Sequence, residues 1–293
     1  MREENKKNDV STVSAVYKLQ MPDKVFDKLS HFIFNQYGIK MPKAKKVMLQ
    51  SRLQRRLREL NMNSYEDYCD FVFSKEGEAM EVIHMIDVVT TNKTEFFREP
   101  AHFDFLQEVV LPEYVQKRRK NDILKIWSAG CSSGEELYTL AMVISEFQEK
   151  HKKFDYHILG TDVSSRILAT ASDAVYKEER VANIPMDLKK KYLLRSKDRT
   201  KPTVRIVQEL RKRTSYKRLN FIEEHYNSIN DMFDIIFCRN VLIYFERDIQ
   251  EKVINRLCTK LKKGGYFFLG HSESITGINV PLVQLKPTVF MKT

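Results

Sequence analysis

The stretch Leu124 to Ile144, LKIWSAGCSSGEELYTLAMVI, limits what this chain can fold into more than any other. Leu124, Ile126 and Trp127 read as the end of a buried strand, and from about Glu135 the residues Leu137, Leu140, Ala141 and Ile144 recur at helical spacing. A strand that turns straight into a helix is the unit of an α/β sheet, and such turns hold ligands. The turn here, SAGCSSGEE, contains only Gly130 and Gly134. A pyrophosphate-binding turn needs G-x-G-x-x-G, so that backbone N–H groups can approach two phosphates at a helix N-terminus. Glu135 and Glu136 follow at once, and paired carboxylates repel a diphosphate but attract an ammonium or sulfonium. A cationic ligand is expected. The competing reading of Glu135 is a capping box with Ser132, which binds nothing.

From Ile123 onward strand-like and helix-like segments alternate. DILKIWSA leads to the helix near Glu135, FDYHILGTD to SSRILATASDAVY, and FDIIFCRN to RDIQEKVINRLCTKL; GGYFFLGH follows a lysine-rich turn, KKGG. This order predicts an α/β fold around a doubly wound, mostly parallel sheet. PLVQLKPTVFMKT predicts a final strand or hairpin turning at Lys286 and Pro287. Between about 185 and 215 the rhythm breaks in a basic, β-containing excursion, read as a small insertion. Residues 1–90 differ again: Val25, Phe26, Leu29, Phe32, Ile33 and Tyr37 predict a helix stopping at Gly38. A second helix carries Leu49, Leu53, Leu57 and Leu60 inward, and two more helices close a small bundle. The expected domains are therefore 1–90 and 91–293, the latter with its insertion.

Hydrophobic residues make up 42% and charged residues 30%, as in a soluble globular protein. MREENKKND has no apolar leader, and no apolar run approaches the ~20 residues of a membrane span, which predicts a cytoplasmic protein without membrane insertion. The four cysteines form no C-x-x-C pair and the histidines no metal-ligand spacing, so no metal is expected. GHSES lacks the second glycine of a serine-hydrolase elbow.

In an open α/β sheet, ligands lie beyond the C-terminal ends of the strands. Asp162 ends the second predicted strand and could accept hydrogen bonds from both hydroxyls of a ribose, and Asn220, in LNFIEE, could read an adenine edge. A cationic adenosine compound that needs a carboxylate near its charge is S-adenosylmethionine.

TTNKTEFFRE, WSAGCSSGEELYTLAM, FCRNVLIYF and GGYFFLGHSES, in this order, resemble the bacterial chemotaxis receptor methyltransferases, the CheR family of protein-glutamate O-methyltransferases. The resemblance runs from about Phe26 to the C-terminus. It implies an all-helical N-terminal domain, a class I methyltransferase domain, and a β-subdomain inserted at about 185–215. By the same resemblance the cofactor residues are Asn92, Thr94, Arg98, Glu136, Asp162, Asn220, Phe221, Arg239 and Asn240, and the product is S-adenosylhomocysteine. The substrate it implies is a glutamate side chain on the cytoplasmic helical region of a methyl-accepting chemotaxis receptor; the enzyme itself is expected to be a monomer. Arg98 is expected to orient the substrate carboxylate and Tyr244 to line the methyl-transfer site; a salt bridge from Arg98 to Glu95 or Glu99 is the plainer alternative.

From Lys40 to Arg58 there are eight basic residues and no acidic one. Arg52, Arg55, Arg56 and Arg58 are expected to meet acidic receptor surfaces, as the resemblance implies, or else to form a solvated face. With a net charge of +11, nucleic acid is the competing partner, but CRNVLIYF lacks the two prolines of a base-holding N/D-P-P-Y site. A non-catalytic module that binds adenosylmethionine and docks on receptors is the remaining alternative. RSKDRTKPT has no glycine, where family members that grip a receptor's C-terminal pentapeptide carry a glycine-bearing loop. The tether is expected to be weak or absent.

Overall fold

The computed structural model describes residues 19–293 apart from 152 and 199. The N-terminal stretch inspected for a leader, and Arg199 of RSKDRTKPT, lie outside the described residues. Contacts divide the chain into two compact units, Met1–Thr91 and Asn92–Thr293.

The first unit is helical. α1 (Asp23–Tyr37) buries Val25, Phe26, Leu29, Ile33 and Tyr37 and stops where Gly38 takes a left-handed φ of 69°, which only glycine adopts at little cost. α2 (Lys46–Glu59) buries Leu49, Leu53 and Leu57. Ser64 caps α3 (Tyr65–Val72) and Ser74 caps α4 (Lys75–Val89), each hydroxyl accepting a backbone N–H of the first turn at 3.0 Å.

In the second unit a helical segment, α5 (Ala101–Phe105) and α6 (Leu111–Lys117) joined through a π turn, precedes the sheet. Seven strands pair in the order β6-β2-β1-β7-β8-β10-β9. β1 (Ile123–Ala129), β2 (Asp155–Asp162), β6 (Thr214–Arg218), β7 (Phe233–Cys238) and β8 (Leu261–Leu269) run parallel; β9 (Leu282–Lys286) and β10 (Val289–Lys292) form an antiparallel hairpin. The central strands are apolar on both faces, as a sheet covered by helices requires: Ile126, Trp127, Ile158, Ile235 and Phe237 are all buried. The connecting helices are α7 (Glu135–Lys150), α8 (Ser165–Asp173) and α11 (Arg247–Thr259). The strand order reverses at β1, flanked by β2 and β7, and this opens the ligand crevice.

Two expected boundaries move. The small sheet pairs β3 (Val175–Lys177), β5 (Thr203–Ile206) and β4 (Leu193–Arg195) antiparallel, with the short helices α9 (Met186–Tyr192) and α10 (Gln208–Arg211) beside them. The insertion thus starts at Val175, because Tyr176 pairs with Val204, and it ends before Thr214, which pairs with Ile158 in the main sheet. KKGG is no separate turn either. It lies within β8 as a bulge, the register to β7 shifting between Phe233 and Ile235, where Gly264 takes φ 74°.

Candidate functional site

The turn after β1 alternates backbone hand, with Gly130 at φ 86°, Ser132 at 50° and Gly134 at 92°. The N–H groups of Gly130 and Cys131 both donate to Thr161 O, at 2.8 and 2.9 Å, which ties the ends of β1 and β2 together. Asp162 closes β2. Its Oδ2 accepts the Ser132 N–H and its Oδ1 the Ser164 N–H, each at 3.0 Å, so its orientation is fixed. The Leu219 N–H donates to Asp162 O at 3.0 Å, which brings the end of β6 beside it. There Asn220 Oδ1 accepts the Ile222 N–H at 3.3 Å, and Phe221 is buried against Tyr226. Asn92 joins the same crevice edge, its carbonyl accepting the Ser132 hydroxyl at 3.2 Å; Thr94 follows, half-buried.

The two carboxylates of the turn do not act as a pair. Glu135 is fully buried, ion-paired with Arg180 and bonded to the Ser133 hydroxyl at 2.6 Å. The capping box with Ser132 is not formed, because Gly134 occupies the N-cap and Ser132 sits in a left-handed turn whose hydroxyl bonds Asn92. Glu136 points elsewhere, accepting the Ser128 hydroxyl at 2.7 Å and lying 2.9 Å from Arg239 Nε. Each carboxylate therefore has its own arginine, and the turn is less negative than its sequence.

Arg239, beyond β7, is the hub. Besides its ion pair with Glu136 it donates hydrogen bonds to Arg98 O at 2.7 Å and to His102 Nδ1 at 3.0 Å, and its guanidinium lies over Phe103 and Phe237. Since His102 Nδ1 accepts, Nε2 carries the proton and donates to Thr288 Oγ1 at 2.7 Å. Burial and the adjacent Arg239 charge push the His102 pKa down to about 4, so the ring is neutral. Arg98 donates to Lys93 O at 3.2 Å and pairs with neither Glu95 nor Glu99. Its neighbours Phe97 and Glu99 have φ of 56° and 57°, a conformation costly for a bulky residue and concentrated at functional sites.

Glu99 Oε1 accepts hydrogen bonds from the His271 N–H and Asn240 Nδ2, while its buried Oε2 has no hydrogen-bond partner among the described residues. Burial would raise its pKa, but Arg239 and His271 outweigh that and hold it below the ordinary value. Glu99, His102 and His271 are close enough to hold a cation, yet the Arg239 guanidinium already serves that group of atoms. Asn240 sits at φ 60°, and Tyr244 lies half-exposed at the end of the short helix Leu242–Tyr244. Spacing in the sequence pointed to neither His102 nor Glu273, which accepts four backbone N–H groups. The GHSES motif was the one available signal for Glu273.

The arginines of α2 stand in the other unit and divide by role. Arg56 forms a bidentate pair with Glu81 at 2.8 and 2.7 Å, Glu81 also accepts the Tyr68 hydroxyl, and the two side chains are 12% and 2% exposed. That placement corrects the expectation that Arg56 faces a partner. Arg52 is half-buried against Val89 O and Thr91 Oγ1; Arg55, paired with Glu59, and Arg58 are exposed.

Residues 92–291 match the family model for the CheR methyltransferase SAM binding domain, and residues 24–90 that for the CheR methyltransferase all-alpha domain. A chemotaxis protein methyltransferase of Borreliella burgdorferi is 37% identical over 90% of this chain and 93% of its own length. Chemotaxis protein methyltransferase 2 of Pseudomonas aeruginosa is 34% identical, over 90% of this chain and 91% of its own length, and the Escherichia coli chemotaxis protein methyltransferase 31%, over 93% and 92%. With both family models matched in tandem over most of its length, the chain belongs to the CheR methyltransferase family.

Proposed function

We propose that this chain methylates glutamate side chains on the cytoplasmic helical region of chemotaxis receptors, as a protein-glutamate O-methyltransferase of the cytoplasm. The observation that carries the reading is the switch point at β1 within a SAM binding domain, with Asp162 closing β2 on one side and Arg239, paired with Glu136, following β7 on the other. Bound there, S-adenosylmethionine supplies a methyl group on positively charged sulfur. Asp162 suits a ribose, having both oxygens pre-oriented, and Asn220 and Phe221 suit the adenine beside it. Asn92 and Thr94 line the crevice edge, and Glu136, Arg239, Asn240 and Arg98 are assigned to the methionine end.

A free glutamate side chain, with a pKa of ~4.3, is already an anionic nucleophile at neutral pH, so no strong base is required. Orientation is the main task, and holding two reactants in line can supply roughly 7–11 kcal/mol of the barrier. Arg98 suits that role: its guanidinium has no carboxylate partner among the described residues, and its carbonyl is fixed by Arg239. Transfer neutralises the substrate carboxylate, so a tight pair with Arg98 would hold back the reaction; the Arg98 contribution is orientation, with Tyr244 lining the site. Arg55 and Arg58 are the exposed arginines of α2, offered to an acidic receptor surface.

Labelled cofactor incubated with receptor cytoplasmic fragments, with RNA as a parallel acceptor, tests the reading. Label should enter the receptor as a base-labile ester, and Asp162→Ala should weaken S-adenosylhomocysteine binding by about tenfold or more, the worth of a charge-assisted hydrogen bond. Label in RNA, or binding without turnover, would replace this reading with one of its alternatives.

A further inference from the structure

One carboxylate grips the turn that carries Arg239, Asn240 and Tyr244. Glu273 Oε2 accepts the N–H groups of Asn240 at 2.9 Å and Gly270 at 2.7 Å, and Oε1 accepts those of Val241 at 2.9 Å and Leu242 at 2.7 Å. Three consecutive N–H groups converge because Asn240 is left-handed, at φ 60°, and Val241 right-handed, at φ −110°. Such a backbone nest ordinarily captures an external anion, and here the chain fills it with its own side chain.

Both flanks of the turn are fitted to it. A Cβ at Gly270 would stand 2.5 Å from Asn240 Nδ2 and 2.9 Å from Asn240 N, and one at Gly130 would stand 2.3 Å from Val241 Cγ2. Glycine at the ends of β8 and β1 is therefore what lets the turn seat between them. Glu273 is only 9% exposed, and its N–H returns to Gly270 O at 3.0 Å. Burying a carboxylate is costly unless hydrogen bonds replace its water; four backbone donors offset part of that cost, and burial still holds the Glu273 carboxyl above its ordinary pKa.

We infer that Glu273 is a positioning residue for methyl transfer: by holding the Asn240–Leu242 backbone it sets the Arg239, Asn240 and Tyr244 side chains at the reacting centre. The inference rests on the reading of that turn as part of the methyl-transfer site. Glu273→Gln keeps the shape but turns an amide N–H₂ toward N–H donors. At saturating substrates, kcat per folded site should fall by about 30-fold or more with the receptor KM within about threefold, the signature of lost alignment and not of lost binding. Amide hydrogen exchange at Asn240–Leu242 and Gly270 should accelerate by about tenfold or more, while Ile235–Phe237 in β7 keep their protection.

If the Gln variant does not fold, Glu273→Asp, one methylene shorter but still charged, takes its place with intermediate values expected. An unchanged kcat overturns the inference, and so does exchange that is unchanged or that rises equally in β7. Exchange needs no methyl acceptor. A wild-type chain that methylates no receptor would therefore defeat the proposed function while the exchange pattern still decided whether Glu273 holds the turn.

Discussion

His102 is neutral because of where it is buried, and that has a measurable consequence. In the unfolded chain its imidazole titrates near 6.5, whereas in the fold burial and Arg239 hold its pKa at about 4. Between these values the unfolded state binds the extra proton, so stability falls as pH drops from 6.5 toward 4, and this group contributes no further change below that. At pH 5 the loss from His102 should be about 2 kcal/mol, at 1.36 kcal/mol for each unit. Urea unfolding at pH 7 and pH 5 measures it against His102→Gln, whose amide can accept from Arg239 and donate to Thr288 without titrating. An equal acid loss in both proteins would rule the mechanism out. A motif can conceal opposite placements: Glu135 and Glu136 are adjacent in sequence, yet one faces Arg180 and the other Arg239. Helical geometry sends neighbouring side chains about 100° apart, and only the fold supplies their partners.

Among the elements, α2 separates fold from docking within one charge run. Its leucine stripe was legible from spacing, and so was the basic character of the remaining faces. That Arg56 belongs inside was not, because its partner Glu81 lies on α4, across the helical unit. Removing one member of a buried pair leaves the other charge without its counterion. Arg56→Leu should therefore cost about 3–5 kcal/mol in thermal or urea unfolding. Arg55→Glu with Arg58→Glu should change stability by less than about 1 kcal/mol, as for exposed charges, yet lower receptor methylation while cofactor affinity holds. Wild-type methylation should fall with salt as charges are screened over about 8–10 Å. Normal methylation by the double variant, or an Arg56→Leu chain as stable as wild type, would reverse the assignment. The β4–β5 connection makes a similar point. The loop lacks glycine, and Asp198 closes it by accepting the N–H of Thr200 at 2.9 Å and its hydroxyl at 2.6 Å. A free receptor-tail peptide should bind weakly, and low-micromolar affinity by calorimetry would restore the tether.

For the whole molecule, the alternation of strands and helices foretold the α/β class, and the glycine-poor turn with Asp162 pointed to adenosylmethionine, the cofactor of the matched SAM binding domain, although the two turn carboxylates proved to be held by separate arginines. Both are local signals: side-chain period sets the element, and strand ends in a doubly wound sheet converge by topology. Non-local pairings were not readable in this way. Thr214 joins the main sheet by pairing with Ile158, and KKGG becomes a bulge because β8 must align with β7. The hub of Arg239, His102, Glu99 and Asn240 gathers residues from segments far apart in the chain, and Glu273 reaches back to a turn more than a strand and a helix away. The class of fold, the periodic elements and the kind of ligand were readable along the chain, since they depend largely on residues close together in it. Which charges are paired and which remain exposed follows from the folding of distant segments onto one another, because a buried charge is stable only beside a partner that they bring to it.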